Sequence, residues 1–360
     1  MRVEHVLPTR MANHGLVSPQ WESAAELVAH LGAVQAQDYP GARWALGLRM
    51  RGANDRSLEA AFDRGEILRT HVLRPTWHFV APDDIGWLQQ LTGPRVKATT
   101  QSYTRRLGLD EPMLAWCESM LTRALEGGGS LTRAEVGAAV QIGDSAVLGQ
   151  LLMRAELDGL VCSGPPRGRE HTYMLLEERL EATRSLAARN PAPAARSRTA
   201  EEALAELTWR YFSSHGPALV SDCVWWSSLP AREVKRGLEL NRHRLESERI
   251  DGREYWFSSS SKEAPAVCEG TPAHLLPNYD EYTVAYRHRE LYYDAERNWT
   301  GNTRMDVPFT NVILVNGQVA GRWRRVPGRQ RLEHTWTMEP GPAEQEAVAA
   351  AEERYHRFFK

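Results

Sequence analysis

An α+β fold is what the sequence predicts, with helices and antiparallel hairpins grouped in successive blocks instead of alternating one by one. Three observations predict it. Between residues 109 and 188 the pattern runs helices, strand, tight basic loop, strand; between 201 and 262 that order returns; and 271–338 carries strand signals with few helix signals. Helices followed by a strand, a short basic loop and a second strand make the order of a winged helix. The expected organisation is therefore a winged-helix-like module at 1–108, a second winged helix at 109–188, a linker at 189–200, a third winged helix at 201–262, and a β-rich element with a closing helix at 263–360.

The elements follow in order. WESAAELVAHLGAV (21–34) has Trp21, Ala24, Leu27, Val28 and Leu31 at helical spacing, with Ser18-Pro19 as a start signal, and is expected to deliver Gln35 and Gln37 at its C-terminal end. A helix near Ser57–Arg64 comes next. ILRTHVLRPTWHFV (67–80) has strand character, with Arg74, Thr76 and His78 on one face and Leu73, Pro75, Trp77 and Phe79 on the other. A helix at Glu111–Leu125 is broken by Gly127-Gly128-Gly129; Thr132 with Glu135 reads as a capping box; and Ser145–Asp158 is a helix closed by Gly159, with Leu148, Leu151, Leu152 and Ala155 as core. NPAPAARSRTA (190–200) is Pro/Ala/Arg-rich and aperiodic, hence a linker. Three helices follow at 201–214, around LVSDCVWWSSL and at PAREVKRGLEL, then two strands flanking Asp251-Gly252. Asn316-Gly317 between two apolar runs is the strongest hairpin signal, its second strand carries Arg322 and Arg324 on one face, and Arg325, Arg329 and Arg331 follow. A last helix spans about Pro342 to Phe359.

Composition narrows the classes. The 360 residues, 42% hydrophobic and 25% charged, are enough for a sizeable core in several modules. Net charge is −2, which argues against coating nucleic acid by bulk charge. Forty of the 44 basic residues are arginines, a bias that suits phosphate contacts but that a GC-rich genome also produces. Cys117, Cys162, Cys223 and Cys268 lie far apart with no C-x-x-C pair, so neither a metal site nor a disulfide framework is indicated, and a cytoplasmic location fits. The N-terminus has no apolar h-region, and no long apolar run suggests a membrane span.

Five stretches, QAQDYPGARWALGLR, LRPTWHFV, GPALVSDCVWW, LLPNYDEYTVAYRHR and VILVNGQVAGRWRR, occur in the order found in the AlkZ/YcaQ-type winged-helix DNA glycosylases, which the chain resembles over nearly its whole length. The resemblance implies a C-shaped protein of tandem winged helices that wraps duplex DNA and hydrolyses the N-glycosidic bond of bulky alkylated purines. The family signature, Gln, an apolar residue, then Gln or Asp, reads Gln35-Ala36-Gln37 here. That places the chain with the AlkZ-like branch, which resembles self-resistance enzymes against DNA-alkylating natural products that can unhook interstrand crosslinks.

Residues two apart on a helix lie roughly 200° apart, so both amides reach one substrate only if the helix ends, and Asp38-Tyr39-Pro40-Gly41 is expected to end it. A neutral amide is a poor base. An N7-alkylguanine or N3-alkyladenine is, however, a cationic leaving group that departs through an oxocarbenium-like sugar, so holding a water near C1′ suffices. Gln35 and Gln37 are the expected catalytic pair, with two other readings open: helix capping by the amides, and Asp38 as a base, a residue read first as ordering the turn. No lysine stands beside them for Schiff-base chemistry.

Arg74, Thr76, His78, Arg322 and Arg324 are the expected DNA contacts. Asn278, Asp280, Arg287 and Arg289 are read as non-catalytic, Asp280 pairing with Arg287 or Arg289. No cofactor, metal or membrane is expected, nor a deep nucleobase pocket. The expected partner is double-stranded DNA with alkylated purines, bound by a monomer. The competing class is a non-enzymatic winged-helix regulator or architectural DNA binder, which sequence preference on undamaged DNA would reveal.

Overall fold

Seen from its N-terminus, the chain builds α1 (Val6–Asn13), α2 (Ala24–Leu31), a two-residue strand β1 (Val34–Gln35), α3 (Tyr39–Gly47) and α4 (Asp55–Asp63). The structure is a computed structural model that describes residues 2–187, 198–262, 271–293, 310–326 and 331–360. Linker residues 189–197, Cys268 and Arg329 lie outside the described residues. The fold is α+β, with many helices and several small antiparallel sheets.

Next come β2 (Leu68–His71) and β3 (Trp77–Val80), paired antiparallel from Leu68 opposite Val80 to His71 opposite Trp77. The single polar-faced strand expected over 67–80 is thus a hairpin, turned at residues 72–76, where Leu73 adopts φ +61°. A 22-residue helix α5 (Ile85–Arg106) follows. The sequence does not announce it, because Gly93-Pro94 sits mid-helix and its buried face includes Gln89, Thr92 and Gly93 in place of an apolar stripe.

The expected helices and strands then appear as α6 (Glu111–Leu125), α7 (Arg133–Ala139), α8 (Ser145–Leu157), β5 (Val161–Arg167) and β6 (Glu170–Leu175), together with a short strand β4 (Leu131–Thr132) before α7 and a closing helix α9 (Leu176–Ala187), neither of them expected from the sequence. Asp110 caps α6 by accepting from Met113 N, and the Thr132–Glu135 capping box starts α7. Leu148, Leu151, Leu152 and Ala155 of α8 pack with Leu114, Cys117, Leu121 and Leu125 of α6 in one core. At about 25 cal/mol per Å² of buried apolar surface, such a core is the main source of this block's stability.

Beyond the linker come α10 (Ala200–Ser214), α11 (Val220–Ser227), α12 (Ala231–Leu240), β7 (Leu245–Ile250) and β8 (Arg253–Ser258). The last two are joined through Asp251 and Gly252 at φ +46° and +76°, the doubly positive turn of a tight hairpin. β9 (Ala273–Leu276), the short helix α13 (Glu281–Val284), β10 (Val312–Val315), β11 (Gln318–Arg325) and β12 (Leu332–Trp336) lead to α14 (Pro342–Phe358). The sheet order is β12-β11-β10-β9, and Asn316-Gly317 turns β10 into β11 at φ +51° and +80°.

By contacts the chain divides into two units: one of Met1–Leu58, Leu204–Trp226 and Pro230–Lys360, the other of Glu59–Ala203 with Ser227–Leu229. In the first, Trp44 of α3 meets Tyr355 and Phe358 of α14 at ring distances of 5.3 and 5.1 Å, and its indole N–H donates to the Leu275 carbonyl of β9 at 2.7 Å. A Cβ at Gly47 would come within 2.2 Å of Phe358, so glycine permits the close approach of α3 and α14.

His274 of β9 is buried in this unit and, among the described residues, has no hydrogen-bond partner on either ring nitrogen. Burial, reinforced by the charges of Arg354 and Arg49, pushes its pKa from 6.5 down to about 3. Below pH 6.5 the unfolded chain takes up the proton first, so stability falls as the pH drops from about 6.5 toward about 3. His274→Leu is therefore expected to shrink the loss of unfolding free energy between pH 8 and pH 5 by about 2 kcal/mol, measured by urea titration at both pH values. An unchanged difference would show that His274 is not the group titrating.

Candidate functional site

The Gln35–Gln37 segment is held at both ends by local caps. Ser23 Oγ accepts from Glu26 N at the start of α2. The helix stops at Leu31, because Gly32 adopts φ +83°. Asp38 begins α3, its Oδ1 accepting from Gly41 N at 3.2 Å, so this carboxylate orders the turn as one of its expected readings had it. The glutamines therefore sit on a short strand and its following bend, not at the end of a helix as expected. Because β1 ends at Gln35 and Gln37 lies in the bend that follows, the 200° separation of a helix does not apply to the pair. Gln35 is buried at 4% exposure and Gln37 is exposed. The Gln35 Oε1 accepts the Gln37 backbone N–H at 3.1 Å, which fixes the Gln35 amide with its oxygen turned into the loop.

Under this loop lies a buried polar layer. Glu281, only 1% exposed, accepts the Gln35 backbone N–H on Oε1 at 2.7 Å and the Trp226 indole N–H on Oε2 at 3.0 Å. His215 Nε2 stands 3.6 Å from the same Oε2. The Ser214 hydroxyl donates to the Arg210 carbonyl at 2.6 Å, so its contact with His215 Nδ1 at 2.7 Å requires the histidine to donate there. By the same reasoning, Tyr286 donates to the His215 carbonyl at 2.7 Å and accepts from His14 Nε2 at 3.0 Å. Burial drives both imidazoles below their ordinary pKa, while Glu281 pulls His215 the other way. Tyr211 stacks on His215 at 4.8 Å and 9°. Next to Glu281, Asp280 holds Arg49 through two hydrogen bonds, at 2.9 and 2.7 Å, and caps α13 by accepting from Tyr282 N.

Comparison with known proteins gives this arrangement a context. The family described as "DNA glycosylase AlkZ-like" matches residues 28–358. The chain belongs to the AlkZ-like family. Its general activity is accordingly that of a DNA glycosylase, acting on DNA in repair. A relative from Streptomyces sahachiroi described as "Interstrand DNA cross-link repair glycosylase" is 22% identical over 335 residues, covering 89% of this chain and 87% of that protein. The solved structure of the Streptomyces sahachiroi DNA glycosylase AlkZ superposes with a TM-score of 0.77 at 21% identity, over 99% of this chain and 96% of that one, so the two share a fold.

In this AlkZ-like chain the other expected contact residues fall into two groups. Arg74, Thr76 and His78 belong to the β2–β3 hairpin of the second unit. His78, fully buried, has Nδ1 2.9 Å from the Thr76 carbonyl and Nε2 3.5 Å from Arg74 Nη2. They form one interlocked turn instead of a shared strand face. Arg322 and Arg324 sit at alternate positions of β11, opposite Thr335 and Glu333 of β12. Arg324 is highly exposed and its guanidinium Nε pairs with Glu333 at 2.7 Å, so part of its charge is already answered.

Asp280 does not pair with Arg287 or Arg289: its partner is Arg49, from a distant part of the sequence, and Arg287 is exposed. The buried groups that sequence reasoning did not select are Glu281, Trp226, His215 and Arg49. Arg49, Trp226 and Glu281 lie within QAQDYPGARWALGLR, GPALVSDCVWW and LLPNYDEYTVAYRHR, and for Glu281 the available signal was a pair of adjacent acids inside an aromatic-rich stretch. Among the described residues no three His, Cys, Asp or Glu side chains gather to hold a metal, and no helix is long and apolar enough to cross a membrane.

Proposed function

We propose that this chain is a monofunctional glycosylase that hydrolyses the N-glycosidic bond of N7-alkylguanine and N3-alkyladenine, including bulky adducts. The observation that carries the reading is the Gln35–Gln37 pair: an exposed amide beside a buried one whose orientation is fixed by the loop's own N–H. The alkylated base leaves with the bonding electrons of C1′–N and becomes neutral, the sugar passes through an oxocarbenium ion, and water adds to C1′ and gives its proton to solvent. No strong base is needed. Gln37 holds the water, and Gln35 holds Gln37 and directs its own NH2 toward the site.

The α6, α7, α8, β5, β6 and α10, α11, α12, β7, β8 successions have winged-helix order, and we take them as the modules that meet duplex DNA, with Arg74 and Thr76 as further contacts; His78, expected as a third, is fully buried and instead braces the turn that carries them. The likeness to an interstrand cross-link repair glycosylase supports unhooking of interstrand crosslinks, and we further take the enzyme to act as a monomer in self-resistance to a genotoxic natural product. The free, buried thiols of Cys117 and Cys162 suit a cytoplasmic setting.

The test is incubation with duplex DNA bearing N7-alkylguanine, then alkaline cleavage at abasic sites. Strand breaks at the adduct are expected; binding without breaks on simple, bulky and crosslinked adducts would favour the regulator instead. Arg322 and Arg324 of β11 are taken as phosphate contacts. Arg322→Glu should weaken duplex binding at low salt and lower the slope of log K against log salt by about one to two. An unchanged slope would remove this strand from the DNA interface.

A further inference from the structure

We propose that Glu281 is a positioning residue for the glutamine loop, acting on the reaction by fixing the backbone of Gln35. The inference rests on the glycosylase reading above. β1 is only two residues long, too short to hold itself in place by its own ladder. Glu281 reaches it from a position 246 residues away in sequence and takes its N–H at 2.7 Å.

A carboxylate at 1% exposure is costly to bury unless its oxygens are answered by donors, and here each of the two oxygens accepts one N–H, from Gln35 and from Trp226. Two donors converging on one group select a carboxylate over an amide. A carboxamide at 281 can accept only one of them and must turn its NH2 on the other. Asp280 is equally buried, but its oxygens are engaged by Arg49 and by the N-terminus of α13, which anchors the helix. The two adjacent acids thus divide the work: Asp280 fixes α13, and Glu281 uses that fixed helix to hold the loop whose amides face substrate.

The experiment compares wild-type protein with Glu281→Gln and Glu281→Asp, the second keeping the charge while withdrawing the carboxylate by one methylene. Each is assayed for single-turnover excision with enzyme saturating over an N7-alkylguanine duplex, alongside Kd for the same duplex and thermal unfolding. The expected result is a rate constant lowered about tenfold or more in both variants, with Kd within about twofold of wild type. A merely structural residue would reduce the active fraction and the Tm but leave the rate constant of the active fraction unchanged, which would overturn the proposal. If Glu281→Gln does not fold, Glu281→Asp alone decides by the same rate constant. Wild-type protein that excises nothing would remove the glycosylase reading itself, whereas excision at wild-type rates by both variants would remove only the role of Glu281.

Discussion

Gln37→Ala is expected to lower the single-turnover rate of alkylpurine excision about 100-fold while leaving the Tm nearly unchanged. The size follows from what the side chain does: an amide that only positions a water contributes through geometry, and misplacement of a reacting group by about 1 Å costs on the order of 100-fold. The unchanged Tm follows from the exposure of Gln37, whose backbone N–H, not its side chain, makes the loop contact.

Gln35→Ala differs in kind. It removes the oxygen that accepts the Gln37 N–H, so it should reduce both the rate and, by about 1 kcal/mol, the stability. The measurement pairs alkaline-cleavage kinetics with urea unfolding for the two variants and their combination. Because both act through one loop, the double variant should be little slower than the slower single one. Multiplicative losses would mean that the two amides act independently, and Gln37→Ala with full activity would sink the assignment.

What was legible in the sequence was local. The end of α6 follows from Gly127-Gly128-Gly129, the start of α7 from Thr132 and Glu135, and both tight hairpins from Asp251-Gly252 and Asn316-Gly317, all signals carried by a few neighbouring residues. The glutamine motif was also visible, since two amides between apolar residues fit neither a core nor a charged surface.

What failed was of two kinds. α5 buries Gln89, Thr92 and Gly93, and the 67–80 hairpin keeps an unbroken alternation through its turn, so in both the pattern of side chains misstates the backbone. Gly32, a single residue in a left-handed conformation, is what ends α2 early and turns the motif into a strand. The partners of the site were out of reach for another reason: Glu281 meets Gln35 and Arg49 meets Asp280 across 246 and 231 residues, and no local pattern encodes which buried acid meets which donor.

That second buried pair sets the other large effect. Arg49 and Asp280 are both at 1% exposure, and Arg49 also donates to the Ala45 carbonyl at 2.7 Å, so the guanidinium ties α3 to the start of α13. Removing the cation alone strands a buried carboxylate. Arg49→Met is therefore expected to cost about 3–5 kcal/mol of unfolding free energy, whereas replacing both charges costs much less, since the desolvation of the pair offsets most of its attraction.

The urea-unfolding cycle of Arg49→Met, Asp280→Asn and the double variant should show a coupling of at least about 2 kcal/mol, with asparagine still able to cap α13. Additive losses would mean that the pair is not coupled. The cycle also reaches the chemistry. α13 carries Glu281 at its first position, so Arg49→Met should slow excision beyond its loss of folded protein, and Asp280→Asn in the same chain should restore part of both. A double variant that regains stability but not rate would separate the anchoring of α13 from the placing of the glutamines.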